Sequence, residues 1–156
     1  MSFPTATPTL STGGTYSAND YVGTNATPME FTNCAPAVSW QGGGGGGLII
    51  GARLIDGALK SISTELWVFD STITAPDDNA AWSLSDADAK KLVCVIPFST
   101  YYASALNSVS EGTPIGGAAR YQCAADSKSL YGCLVTRGAP VYANGDVTVR
   151  LTVLPD

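Results

Sequence analysis

The chain has 156 residues, 45% hydrophobic and 13% charged, with a formal net charge of −5; that is one domain of ordinary size with about half the usual share of charge. Histidine is absent, which excludes the usual general base, the usual zinc ligand and the Ser–His and Cys–His nucleophile pairs. The negative balance, with no basic run longer than Lys90-Lys91, excludes a nucleic-acid binder, because phosphate recognition needs a concentrated basic face.

Met1 to Gly14 is rich in Thr, Pro and Ser and carries no charged side chain. It has neither the basic n-region nor the apolar h-region of a signal peptide. Pro4 and Pro8 bias it toward extended backbone, and twelve extended residues reach roughly 40 Å. Two readings stand: a floppy terminus, or an arm that orders on a neighbour. From residue 15 to 156 we expect a single β-sandwich domain.

Thr15 to Val22 and Met29 to Thr32 read as short strands joined by the polar turn Gly23 to Thr27. Gln41 is followed by six glycines, Gly42 to Gly47. A phosphate-binding loop would need Gly-Lys-Ser/Thr and a helix after the glycines, whereas Leu48-Ile49-Ile50 opens a strand. The run reads as a flexible loop, or as backbone lying close against other backbone. Leu48 to Ile55 is apolar on both faces, with Leu48, Ile50 and Leu54 on one side and Ile49 and Ile55 on the other, which suggests a central or doubly covered strand. Glu65 to Asp70 is the next strand, with Leu66 and Val68 opposite Trp67 and Phe69, and the pair reads as a long meander.

Ser71 to Trp82 is a loop containing Asp77, Asp78 and Asn79, close in sequence to Asp70, Asp86 and Asp88. Calcium favours such oxygen-rich loops, but the EF-hand spacing and its closing glutamate are missing. A short capped helix accounts for much of the charge: Ser85 as N-cap, Asp86 and Asp88 in the first turn, Lys90 and Lys91 in the last. Lys91 to Phe98 is a strand that ends at Pro97. Ser99 to Ser110 supports either an irregular excursion or a helical turn. Ala119 to Cys123 is a strand. Ser129 to Arg137 and Asp146 to Leu154 form the C-terminal pair. In the last strand Val147, Val149, Leu151 and Val153 alternate with Thr148, Arg150 and Thr152, the pattern of one buried and one wet face. Asn144-Gly145 supplies a tight turn before it, and Pro155 stops it. A chain ending on its best strand is expected to end inside its own sheet.

These elements predict an all-β fold, an antiparallel β-sandwich or jelly-roll-like structure with one short helix and an extended N-terminal arm. No apolar stretch approaches the ~18 residues of a membrane span. Cys34, Cys94, Cys123 and Cys133 show no C-x-x-C spacing and read as buried thiols. Glu30, Glu65 and Glu111 are the only glutamates. Glu65 opens a strand that Asp70 closes five residues later, so the two point to opposite faces and cannot serve as a glycosidase pair. We therefore expect no catalytic, cofactor-binding or metal-binding residues. Trp67, mid-strand, reads as core, while Trp40 and Trp82 sit in loops and are the better contact candidates.

Several stretches taken together carry a resemblance. They are Tyr16-Ser17-Ala18-Asn19-Asp20-Tyr21-Val22-Gly23, the run from Gly47 to Asp56, Glu65 to Asp70, Asp78 to Asp88, and Leu130 to Tyr142. In this layout, which spans most of the chain after Thr15, the sequence resembles the small head decoration, or auxiliary capsid (cement), proteins of tailed phages. The resemblance implies a non-enzymatic β-sandwich, assembled in the host cytoplasm and used on the virion. Its partner would be the major capsid protein, which it would bind to stabilise the head shell. A closed homo-oligomer, a trimer foremost, would suit such a subunit. The rival expectation is a receptor- or carbohydrate-binding β-sandwich module of a phage tail or neck. A surface so poor in charge fits a protein largely covered by other subunits, or one that works outside the cell.

Overall fold

The computed structural model describes residues 1–35 and 44–156; Trp40, Gly42 and Gly43 lie outside them. In chain order the elements are β1 (Thr5–Ala6), β2 (Gly14–Thr15), β3 (Tyr21–Val22), β4 (Met29–Phe31), β5 (Gly46–Asp56), β6 (Thr64–Phe69), α1 (Asp86–Ala89), β7 (Leu92–Phe98), β8 (Tyr101–Ala103), β9 (Ser108–Gly112), β10 (Ala119–Gln122), β11 (Leu130–Thr136), β12 (Val141–Tyr142) and β13 (Val147–Pro155). The first sheet runs β1-β13-β5-β9-β8, with β10 also pairing β5. The second runs β3-β11-β6-β7, with β4 also on β11, and β2 pairs β12 apart from both. Every strand pair is antiparallel, so the expected all-β, sandwich-like fold is what the chain adopts.

The alternation read from Val147 to Val153 holds: Val147, Val149, Leu151 and Val153 are buried, while Thr148, Arg150 and Thr152 are not. They meet Leu54 and Ile49 of β5 and Leu66, Ile96, Phe98 and Leu134 of the second sheet in one core. The strand does lie inside its sheet, between β1 and β5. Asn144-Gly145 forms the turn before it: the Asp146 N–H donates to the Ala143 carbonyl at 3.1 Å, and Gly145 takes φ +92°, a conformation open to glycine.

Other expectations need correction. β5 and β6 are not a meander, because they belong to different sheets. Between them the buried Asp56 carboxylate accepts the N–H groups of Ala58 at 2.9 Å and Ser61 at 2.7 Å, holding a turn in which Leu59 and Ser61 both have positive φ. The faces of β5 also differ from a simple alternation. Register slips opposite Thr152/Val153, with Thr152 facing Gly51 and Val153 facing Ile49. Ile50 is the extra residue of a β-bulge, so Ile49, Ala52, Leu54 and Asp56 all point inward. Thr15 to Val22 is not one strand either: the Asp20 carboxylate accepts the Ser17 N–H at 2.6 Å and Asn19 has φ +74°, which breaks the run into a turn. Ser99 to Ser110 resolves as the β8–β9 hairpin.

The described part of the glycine run, Gly44 to Gly47, is close-packed backbone rather than a free loop. The Gly45 carbonyl accepts the Cys123 N–H at 2.8 Å and the Gly46 carbonyl accepts the Asp156 N–H at 3.0 Å. A Cβ on Gly47 would strike the Leu154 carbonyl and the Tyr121 hydroxyl. Glycine is required here because three backbones converge.

Met1 to Gly14 is extended and lies along its own sheet. β1 pairs β13, Ser2 and Val153 exchange N–H···O bonds at 2.8 and 3.0 Å, and the Pro4 carbonyl accepts the Leu151 N–H at 2.9 Å. Pro4, Pro8 and Leu10 are buried. The arm thus occupies the edge of β13 that would otherwise stand unpaired.

Candidate docking face and its hollow

The two sheets differ in what covers their outer faces. On the second, Tyr21, Phe69 and Cys133 are fully buried under Ile73, Ala75, Trp82 and Leu84 of the segment that follows β6. Trp82 stacks at a tilt against Trp67 at 5.5 Å and Tyr21 at 6.1 Å. Trp82 is therefore half-buried packing, and Trp67 lies in this outer cluster rather than between the sheets; Trp40 falls outside the described residues. The helix that closes this cover is capped as expected, with Ser85 Oγ accepting the Asp88 N–H at 3.1 Å. Lys90 is the C-cap, and Lys91, past the helix, bonds back to Asp88 at 2.8 Å.

Among the described residues no segment covers the outer face of the first sheet, and its side chains line up in cross-strand rows. One row is Thr148, Ile55, Val109 and Tyr102, and the next is Thr5, Arg150, Arg53 and Glu111. Beyond the bulge Leu154, Leu48 and Arg120 form another. Tyr102 is 73% exposed and Phe3 46%. Ile55 and Val109 are half-buried and flanked by the Thr and Arg side chains of the neighbouring rows.

Between the two rows of charge and bulge lies a hollow of about 360 Å³, lined among others by Phe3, Gly51, Arg53, Glu111, Arg150 and Thr152. Its origin is local. The bulge displaces Ile50, and Gly51 puts no side chain on the floor opposite Thr152. Arg150 and Arg53 sit directly opposite each other, an unfavourable pairing for like charges. Arg53 is relieved by Glu111, with Nε at 3.0 Å from Oε1 and Nη2 also bonded to it. Arg150 instead lies over the Phe3 ring at 4.4 Å, a cation–π contact. The arm holds Phe3 there through the flanking Ser2 and Pro4 bonds.

The acidic loop read as a possible calcium ligand set has another role. Asp78 is buried and its carboxylate accepts four donors: Thr12 N–H at 2.7 Å, Gly13 N–H at 2.9 Å, Tyr16 Oη at 2.8 Å and Gly23 N–H at 3.1 Å. Asn79 Nδ2 donates to the Thr15 carbonyl at 3.0 Å. Asp77 is exposed, and Asp70 accepts from Ser71. Among the described residues no group of three His, Cys, Asp or Glu side chains converges. Asp78 is a clasp between the arm and the outer cover of the second sheet. Sequence reasoning missed it because carboxylate clustering looks the same whether the partners are a cation or backbone N–H groups.

The glutamates do not share a cleft. Glu111 is on the first sheet, Glu30 and Glu65 on the second. The Arg137 guanidinium, hydrogen-bonded at 2.6 Å, holds the Glu65 carboxyl below its ordinary range. All four cysteines are buried free thiols, and burial pushes Cys34, Cys94 and Cys133 up to about 12, which leaves them poor nucleophiles.

No known protein family, no curated protein and no solved structure matches the chain.

Proposed function

We propose that this chain is a non-enzymatic virion structural protein of the tailed-phage head-decoration type. It docks on the major capsid protein through the open outer face of its first sheet and reinforces the shell. The observation that carries the docking face is the asymmetry of the sandwich: one outer face is sealed by the chain's own Trp67–Trp82 cluster, and the other presents half-buried Ile55 and Val109 beside exposed Tyr102 in a row that no described segment covers. The virion assignment rests on the sequence resemblance. The ionisable groups support a structural role, since the buried Asp56 and Asp78 carboxylates bind backbone N–H groups. On this reading the protein assembles in the host cytoplasm and stands on the shell as a closed homo-oligomer, a trimer by the resemblance.

The test is co-sedimentation with head shells built from the major capsid protein alone. Saturable, stoichiometric binding is expected, with loss on Val109→Lys at unchanged circular dichroism. Deleting Met1 to Thr12 is a poorer probe, because it also unpairs the edge of β13 and removes the Thr12 N–H from the Asp78 clasp. Absence of binding by the intact protein sinks the proposal, and light scattering of the free protein tests the trimer.

A further inference from the structure

We infer that the hollow around Arg150 is a receptor site for one carboxylate side chain on an exposed segment of a partner protein. The inference rests on the docking-face reading above and names the contact at its centre. Four features of the site carry it. Two guanidiniums stand opposite each other on adjacent central strands, but only one acidic side chain, Glu111, shares their row. Among the described residues no carboxylate forms an ion pair with Arg150, so the row carries one positive charge beyond what its own acid balances. The Phe3 ring lies against Arg150, which orients the guanidinium plane and gives the wall an apolar side. Gly51 leaves the floor bare, producing a recess of about 360 Å³ rather than a flat charged surface.

The chemistry selects a carboxylate. A planar guanidinium fork matches a planar carboxylate in a two-bond geometry, and the apolar wall at Phe3 suits the methylene stem of Asp or Glu. Thr113 and Thr152 line the same recess and carry hydroxyls able to donate to a second oxygen. A phosphate chain is a poorer fit: Glu111 stands on the rim, and a protein of net charge −5 repels a polyanion at long range. The partner segment must therefore present an isolated acid, not an acidic run.

The probe is the capped tripeptide acetyl-Ala-Glu-Ala-amide, with acetyl-Ala-Gln-Ala-amide as its neutral twin, titrated into ¹⁵N-labelled protein. Saturable shifts of the Arg150 Nε–H and Gly51 N–H signals are expected with the glutamate peptide and not with its twin, weakening as salt is added. Arg150→Gln should lower the affinity at least tenfold. Arg120→Gln, whose guanidinium pairs with Asp156 at 2.9 Å away from the hollow, should leave it unchanged. Equal shifts from both peptides, or an unaffected Arg150→Gln, overturn the site. Concentration-dependent shifts at the same signals without any peptide would place the acid on a second copy and overturn the partner assignment. Shell co-sedimentation separates the two proposals. Binding abolished by Val109→Lys but untouched by Arg150→Gln keeps the docking face and removes the carboxylate site. Peptide binding without shell binding does the reverse.

Discussion

Replacing the buried Asp78 by alanine should be strongly destabilising. Its carboxylate is the common acceptor for Thr12 N–H, Gly13 N–H, Tyr16 Oη and Gly23 N–H. A hydrogen bond to a charged group contributes about 1.5–3 kcal/mol, and a buried donor left unmade costs about 1–3 kcal/mol. The bonds from Tyr16 and Gly23 are buried, so water cannot replace the lost acceptor there. Those from Thr12 and Gly13 are partly open, and water recovers some of their loss. The net is about 3–5 kcal/mol, a large part of the ~5–15 kcal/mol that holds a domain together. With a urea slope of about 2 kcal/mol/M, the unfolding midpoint should fall by roughly 2 M. Asp78→Asn keeps one acceptor oxygen but turns an amide NH₂ toward two donors, so it should fall between the wild type and Asp78→Ala. Tryptophan fluorescence reads the midpoint, and hydrogen exchange at Thr12, Gly13 and Gly23 reads the clasp itself. A midpoint shift under about 0.5 M with those amides still protected would refute the reasoning.

Three further outcomes follow from other parts of the fold. Among the described residues Ser110 Oγ is buried without a hydrogen-bond partner, so Ser110→Ala should stabilise by about 1 kcal/mol; a thermal melt showing clear destabilisation would mean the hydroxyl has a partner. Gly112 faces β7, and a Cβ there would strike the Pro97 backbone carbonyl and lie 2.7 Å from Ile96 Cγ2, so Gly112→Ala should cost about 3 kcal/mol by overpacking against backbone, and a neutral result in urea would show that the sheets can part there. Alkaline pH should destabilise the protein: burial raises Cys94 and Cys133 from 9.0 to about 12 and Tyr101 from 10.0 to about 12. A raised folded-state value means the stabilising contribution is complete below the unfolded value and is lost as pH climbs through the window up to about 12. The melting temperature should therefore decline steadily above pH 9, and a flat profile to pH 11 contradicts that burial.

The features legible in the sequence are those governed by near neighbours. Alternation from Val147 to Val153 gave the faces of β13, because side chains in an extended strand must point to opposite sides. Ser85 three residues before Asp88 marked a helix start, because the capping bond is local. Asn144-Gly145 marked its turn for the same reason, and four cysteines without paired spacing read as the buried thiols they are. Tertiary structure decided everything that depended on residues far apart in sequence. The Ile50 bulge is visible only against β13, so the faces of β5 could not be read from its own pattern. The Asp56 turn sends β6 to the other sheet. The glycines at 44–47 are required by the backbones of β10 and β13, and nothing in a glycine run names the strand that will press on it. The same limit hid the site. Phe3, Gly51 with Arg53, Glu111 and Arg150 come from four separate places in the chain, and Asp78 gathers donors from residues 12 to 23. Strand alternation and turn residues set the fold class and composition withheld histidine, but which outer face was covered was determined by where residues 71–84 came to rest.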